Sequence, residues 1–232
     1  MSKNTQTIVI SLGGSIIHPK PGVIDIAFLK EFRKLILKFL KKGFKFIIIP
    51  GGGKISRAYQ TTASKIVNVS DSDKDWLGIH SIRLNAHLLI TIFRNVAYPV
   101  ILDNPHKPMK NHWKLLFASG WKPGWSTDYV ATLLAQRFKI KEIINAGNIS
   151  FVFNKDPLKY KDAKFFREIS WTKYRKLIVQ KWTPGLSTPF DPVASKLAQK
   201  LKIRVLVVKG TEIRNLEKAI LGKKFEGSLI KS

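Results

Sequence analysis

The chain has 232 residues, of which 41 are lysine or arginine and 15 are aspartate or glutamate, for a formal net charge of +26. There is no cysteine, which excludes disulfides and cysteine-ligated metals, and 44% apolar residues are ample for a buried core. Charge of this size is one signature of nucleic-acid binding. Here, however, the basic residues are scattered with no run of five, on helix faces (Lys34, Lys38, Lys41, Lys42) and in loops (Lys155, Lys159, Lys161, Lys164). Nucleic acid is therefore not the expected partner.

Residues 8–12 are a short apolar run, read as the first strand, and Gly13-Gly14-Ser15 as a tight loop after it. That run is too short for the apolar core of a signal peptide. Asp25 caps a helix carrying Phe28, Phe32, Leu35, Ile36 and Phe39, which Gly43 ends. Residues 44–49 form the next strand, so strand, helix and strand follow at the spacing of a right-handed parallel crossover.

This second strand runs into Gly51-Gly52-Gly53-Lys54-Ile55-Ser56-Arg57. Three glycines let the backbone turn and present its N–H groups to a close ligand, and a helix begins at about Lys54, with Ile55, Ala58, Tyr59, Thr62 and Ile66 at helical spacing. Strand, glycine turn and helix N-terminus make a candidate anion site. Lys54 and Arg57 oppose the helix dipole unless an anion sits between them. The stretch is neither a Walker A loop nor a dinucleotide fingerprint, since Ile55 follows Lys54 and Ser56 stands in the third glycine place.

Asp75 is read as the cap of a long helix to about Val96, with Leu77, Leu84, Leu88 and Thr91 on one face; Asp71 and Asp73 are read as capping or solvated residues. The apolar stretch 86–102 is cut by Arg94, Asn95 and Pro99, so no membrane span is expected and the protein is expected to be soluble and cytoplasmic. Residues 99–102 and 115–118 read as strands. A Gly/Pro loop, 119–125, ends in Ser126-Thr127-Asp128, a helix start and a second anion site by the same physics. Its helix turns Val130, Leu133, Leu134 and Phe138 inward. Residues 142–146 and 151–153 follow as strands, Asn154-Lys155-Asp156-Pro157 as a turn, 171–179 as a helix and 181–191 as a loop. Asp191 caps a helix with Pro192 at its first position. A strand at 203–208, a helix at 213–221 and an edge strand at 227–230 complete one domain, 1–232, with helices on both faces of a mostly parallel sheet. The five histidines show no metal-ligand spacing. Two glycine turns and an anion-binding helix start suit a kinase acting on a phosphorylated acceptor, because phosphoryl transfer is mainly positioning and charge neutralisation.

Six segments together resemble the amino-acid kinase superfamily and, within it, the archaeal-type UMP kinases. In order they are Ile10-Ser11-Leu12-Gly13-Gly14-Ser15; Gly51-Gly52-Gly53-Lys54; Asp75-Trp76-Leu77-Gly78-Ile79 with Arg83, Asn85 and Ala86; Pro123-Gly124-Trp125-Ser126-Thr127-Asp128; the turn at 154–157; and Asp191-Pro192-Val193-Ala194-Ser195-Lys196. The resemblance implies a three-layer αβα fold and ATP- and Mg²⁺-dependent phosphorylation of UMP to UDP in pyrimidine synthesis. It also implies a homo-oligomer, dimer or hexamer. By position it implies that Gly52, Gly53 and Arg57 hold the UMP phosphate and that Asp75 meets the ribose. Trp121, Pro123, Gly124, Trp125, Ser126 and Thr127 would contact uracil and phosphate. Gly13, Gly14, Ser15, Lys54, Asn148, Phe153 and Asp156 would serve ATP, and Lys54, Asp128 and Asp191 would be catalytic, the two acids orienting basic groups or Mg²⁺.

Two departures stand out. Many superfamily members carry a lysine on the first strand where this chain has Ser11, so Lys54 becomes the candidate cation for the transferring group. The family's Thr-Asn-Val-Asp-Gly-Val-Tyr segment is here Gly147-Asn148-Ile149-Ser150-Phe151-Val152-Phe153, replacing its acid, glycine and tyrosine. The acceptor side is thus better kept than the donor side. Two other readings stay open: a superfamily kinase with another acceptor, and a nucleotide-binding regulator that has lost catalysis. An isopentenyl phosphate acceptor is disfavoured, because no histidine lies between Gly53 and Ile79.

Overall fold

The computed structural model describes residues 6–109, 112–181, 183, 186 and 188–232. Its elements, in chain order, are β1 (Thr7–Leu12), α1 (Gly14–Ile17), α2 (Ile26–Lys41), β2 (Lys45–Pro50), α3 (Gly53–Ile66), α4 (Asp71–Ile92), β3 (Leu115–Phe117), α5 (Thr127–Arg137) and β4 (Glu142–Gly147). They continue with β5 (Val152–Phe153), β6 (Phe165–Phe166), β7 (Glu168–Ser170), α6 (Trp171–Leu177), α7 (Pro192–Lys200), β8 (Arg204–Lys209), α8 (Ile213–Ile220) and β9 (Ser228–Lys231). Seven strands form one sheet in the order β3-β2-β1-β4-β8-β9-β7, parallel except where β9 runs against β8. Strands β5 and β6 form a separate antiparallel pair.

Alternation along the strands builds two cores. Ile8, Ile10 and Leu12 of β1 and Phe46 and Ile48 of β2 point to one face, where Phe28, Phe32, Leu35, Ile36 and Phe39 of α2 pack with Leu89 of α4 and Leu216 of α8. Val9, Ile47 and Ile49 point to the other, against Val130 and Leu134 of α5, Ala194 of α7 and Trp171 and Tyr174 of α6. Strands covered on both faces read as unbroken apolar runs, which is why β1, β2 and β8 are plain in the sequence. The result is the expected three-layer αβα sandwich.

Several expected details differ. The expected tight loop Gly13-Gly14-Ser15 is largely helical: Gly13 precedes the one-turn helix α1, closed by the His18 N–H donating to Gly14 O at 2.8 Å. Helix α4 starts at Asp71, not near Asp75, because Ser70 caps it by accepting from Asp73 N. Its buried face is Ile79, Asn85, Ala86 and Leu89, whereas Leu84 is exposed. The apolar stripe of α3 faces outward: Tyr59 and Ile66 are 59% and 75% exposed, because α3 packs on α4 through the small Ser56 and Gly78. Residues 99–102 are not a strand, only isolated bridges at Ala97 and Leu102, since Pro99 brings no N–H to a ladder. Strand β9 is not an edge; β7, which the sequence reading left out, lies outside it. Positions 182, 184, 185 and 187 of the expected 181–191 loop lie outside the described residues.

Candidate active site

From β1 the chain crosses to β2 on one side; from β4 it crosses to β8 on the other. The order therefore reverses between β1 and β4, and open α/β sheets bind ligands outside the strand C-termini at such a point. Each of the four strands leads there into a glycine: Gly13 after β1, Gly51 after β2, Gly147 at the end of β4 and Gly210 after β8. Backbone bonds stitch them together, Gly13 N to Ala146 O at 2.9 Å, Gly51 N to Leu12 O at 2.8 Å and Gly210 N to Gly147 O at 2.8 Å.

The two expected phosphate turns touch. A Cβ on Gly14 would stand 2.2 Å from Gly53 N, and one on Gly53 would stand 2.3 Å from Gly14 O; Gly53 also has φ +70°. Neither position admits a side chain. The first N–H groups of α3, which have no intrahelical acceptor, lie at the turn, with Lys54 in the first turn and Arg57 just after it.

Ser11, Ser126, Asp128 and Asp191 meet over the end of β1. Ser11 Oγ donates to Asp128 Oδ1 at 2.8 Å, Asp191 N approaches Asp128 Oδ2 at 3.3 Å, and Ser126 Oγ donates to Asp191 Oδ2. Both acids stand at helix starts. Ser126 caps α5, with Asp128 in its first turn, and Asp191 caps α7 by accepting from Val193 N and Ala194 N. Burial pushes the Asp128 carboxyl up from 3.8 to about 7, the neighbouring Asp191 charge adding to it and the Ser11 hydroxyl opposing it. Burial raises Asp191 too, against its bonds from Ser126 and the α7 N–H groups. Neither carboxylate belongs to an ion pair among the described residues. The two carboxyls thus face each other with no positive charge paired to either among the described residues.

The loop before α5 is tied down from across the site: Gly124 N donates to Asp75 Oδ2 at 2.7 Å. Its tryptophans form a closed ladder. Trp125 lies between Trp121, at 6.0 Å, and Tyr129, at 4.1 Å, while Lys122 stands 4.4 Å from the Trp121 centroid.

The donor-side residues are more dispersed. Asn148 is exposed just beyond β4, and Ser15 lies inside α1. Phe153 packs edge-on to Phe165 of β6 at 6.4 Å. Asp156 is exposed and accepts from Leu158 N at 2.9 Å. Phe151 is held against Phe165 at 4.5 Å, with the Arg167 guanidinium near both rings. The reading of the sequence missed Gly147 and Gly210, whose signal is a glycine at the end of an apolar strand. It also missed the contacts of Ser11 and Asn85, which carry no local signal.

The model of the amino acid kinase family matches residues 6–105 and 120–209. A uridylate kinase of Hyperthermus butylicus is 30% identical, with 96% of this chain and 97% of the relative aligned. One from Methanocaldococcus jannaschii is 33% identical over 92% of this chain and 96% of the relative. The crystal structure of uridylate kinase from Archaeoglobus fulgidus superposes with a TM-score of 0.82 at 28% identity, covering 97% of this chain and all of that one.

Proposed function

The chain belongs to the amino acid kinase family, and we propose that it transfers the γ-phosphoryl group of ATP to UMP, giving UDP and ADP. The observation that carries this reading is the contact of the Gly14 and Gly53 turns, which sets two anion-binding backbones side by side at the switch point. A phosphate oxygen of UMP attacks the γ-phosphorus as the β–γ bridging P–O bond breaks, and the bridging oxygen leaves with ADP. Gly52, Gly53 and Arg57 hold the acceptor phosphate; Gly14 offers its backbone N–H to the donor, beside Gly13, whose own N–H is held by Ala146 O; Lys54, a long cation in the first turn of α3, neutralises the group in transit.

Asp75 steadies the base-proximal loop through Gly124 and keeps its second oxygen for the ribose. Asn148, Phe153 and Asp156 flank the adenosine side. Mg²⁺, when bound with the nucleotide, neutralises phosphate charge. Asp128 and Asp191 fit it: two carboxylates suffice for an ion that takes its other ligands from water and phosphate, and neither has a cation partner among the described residues. The outward apolar stripe of α3, continued by Val67 at 60% exposure, supports a homo-oligomer. No helix among the described residues is long and apolar enough to cross a membrane, in keeping with a cytoplasmic enzyme.

The test is a coupled assay with ATP, Mg²⁺ and a panel of nucleoside monophosphates, beside calorimetric titration of UMP and ATP. Turnover with UMP in preference to the others is the expected result. UMP binding without turnover would make the protein a sensor, and preference for another acceptor would move it elsewhere in the family.

A further inference from the structure

His18 follows α1 directly and is 4% exposed. Its Nε2 lies 2.8 Å from Oδ1 of Asn85, itself 1% exposed on α4. Asn85 Nδ2 donates in turn to Gly51 O at 2.8 Å. Gly51 O can only accept, so the Asn85 amide must face it with nitrogen and turn its oxygen to His18. That orientation fixes the hydrogen of His18 on Nε2, and leaves Nδ1 buried without a hydrogen-bond partner among the described residues. An imidazole and an amide are buried here for a chain of bonds that ends on the acceptor turn, at Gly51 O and, more distantly, at Gly52 O, 3.5 Å from Asn85 Nδ2.

The carbonyl is well placed to matter. The peptide after Gly51 is trans and planar, so its C=O and the Gly52 N–H point in opposite directions. Holding Gly51 O toward Asn85 aims the Gly52 N–H away from Asn85. Gly51, Gly52 and Gly53 have no side chains to restrict them, and the Gly51 N–H bond to Leu12 O fixes the peptide before Gly51, not the one after it. The constraint comes from outside, and His18 is its root: the His18 N–H also closes α1, on the first glycine turn.

We propose that His18 is a positioning residue for the acceptor phosphate, acting through Asn85 and Gly51 O to hold the Gly52 N–H in its binding orientation. The inference rests on the UMP kinase reading above. It predicts a selective effect, on UMP and not on ATP, because Gly52 lies on the acceptor turn.

Three full-length variants test it: His18→Met, His18→Gln and Asn85→Ala. Met fills a similar volume without a donor, whereas the Gln amide can supply the N–H that Nε2 supplies. Loss of one buried hydrogen bond in the relay weakens UMP binding about tenfold, read as KM and as calorimetric Kd. His18→Met and Asn85→Ala should show this with kcat and the KM for ATP within twofold of wild type. His18→Gln should restore UMP affinity to within twofold, and should restore nothing when combined with Asn85→Ala.

Unchanged UMP affinity in His18→Met would overturn the inference. So would a Gln variant no better than Met, or a parallel loss of ATP and UMP affinity, which marks general loosening. If His18→Met does not fold, His18→Gln and Asn85→Ala, alone and combined, decide by the same criteria. A wild-type protein that neither binds nor phosphorylates UMP would instead sink the functional reading itself, and the inference with it.

Discussion

The hydroxyl of Ser11 donates to Asp128 Oδ1 at 2.8 Å, joining the first strand to the start of α5 across 117 positions. A hydroxyl favours the carboxylate form of Asp128 far less than an ammonium does, and burial raises the group to about 7. Ser11→Ala removes even that help. The acid limb of kcat/KM, which reports the free enzyme, should move to higher pH in this variant. A pH–rate profile for wild type and Ser11→Ala, with UMP as the varied substrate, checks it; coincident limbs would separate Asp128 ionisation from turnover.

The same shift bears on stability in the absence of nucleotide. The folded state holds a proton on Asp128 that the unfolded chain, near 3.8, releases. Between about pH 4 and pH 7 the native state therefore binds more protons, and this contribution is lost as pH rises through the folded value. Asp128→Asn should flatten that dependence and raise Tm at pH 8, at about 2–4 °C for each kcal/mol recovered. Thermal melts from pH 4 to pH 8 give the answer. Turnover in Asp128→Asn should fall at the same time.

Lys54 lies in the first turn of α3, beside the point where the turns meet. If it neutralises charge that develops only during transfer, Lys54→Ala should lower kcat by about 10²–10³ while the Kd for UMP changes little. Equal turnover in wild type and variant would remove it from that role.

Arg57 is assigned to the bound acceptor, not to the transferring group. Arg57→Ala should weaken UMP by about 1.5–3 kcal/mol, the worth of a hydrogen bond to a charged group, with a smaller effect on kcat. Calorimetry with UMP alone isolates this, because no donor is needed.

Gly14 and Gly22 make a stability contrast. Gly14→Ala drives a Cβ into the Gly53 backbone, which no side-chain movement can relieve, and it should cost well over ~2 kcal/mol. Gly22→Ala meets nothing within 4 Å and bears only the strain of φ +72°, about 1 kcal/mol. Chemical denaturation of the two variants should rank them in that order.

Much of the framework was legible because burial on both faces leaves unbroken apolar strands, as at Ile47-Ile48-Ile49, and because caps such as Asp25, Ser126 and Asp191 announce helices locally. The site was legible where it consists of backbone: glycines after strands mark the turns without any partner in view. It was hidden where a side chain depends on a distant partner. Ser11 showed only as a missing lysine, and Asn85 only as part of a motif, until α4 and α5 were packed against the turns. Strands β6 and β7, two and three residues long, are too short to show alternation. The stripe on α3 was periodic but gave no sign of which way it faced.

The contact between Gly14 and Gly53 also limits how such a site can change over generations. A residue with a Cβ at either place strikes the other's main chain, so the two turns must be inherited as a pair, unaltered. A lineage seeking a new acceptor has no freedom at those two positions. The loop of Trp121 and Trp125, which Gly124 N ties to Asp75, carries no such lock between two main chains, and Gly124 has open space around it.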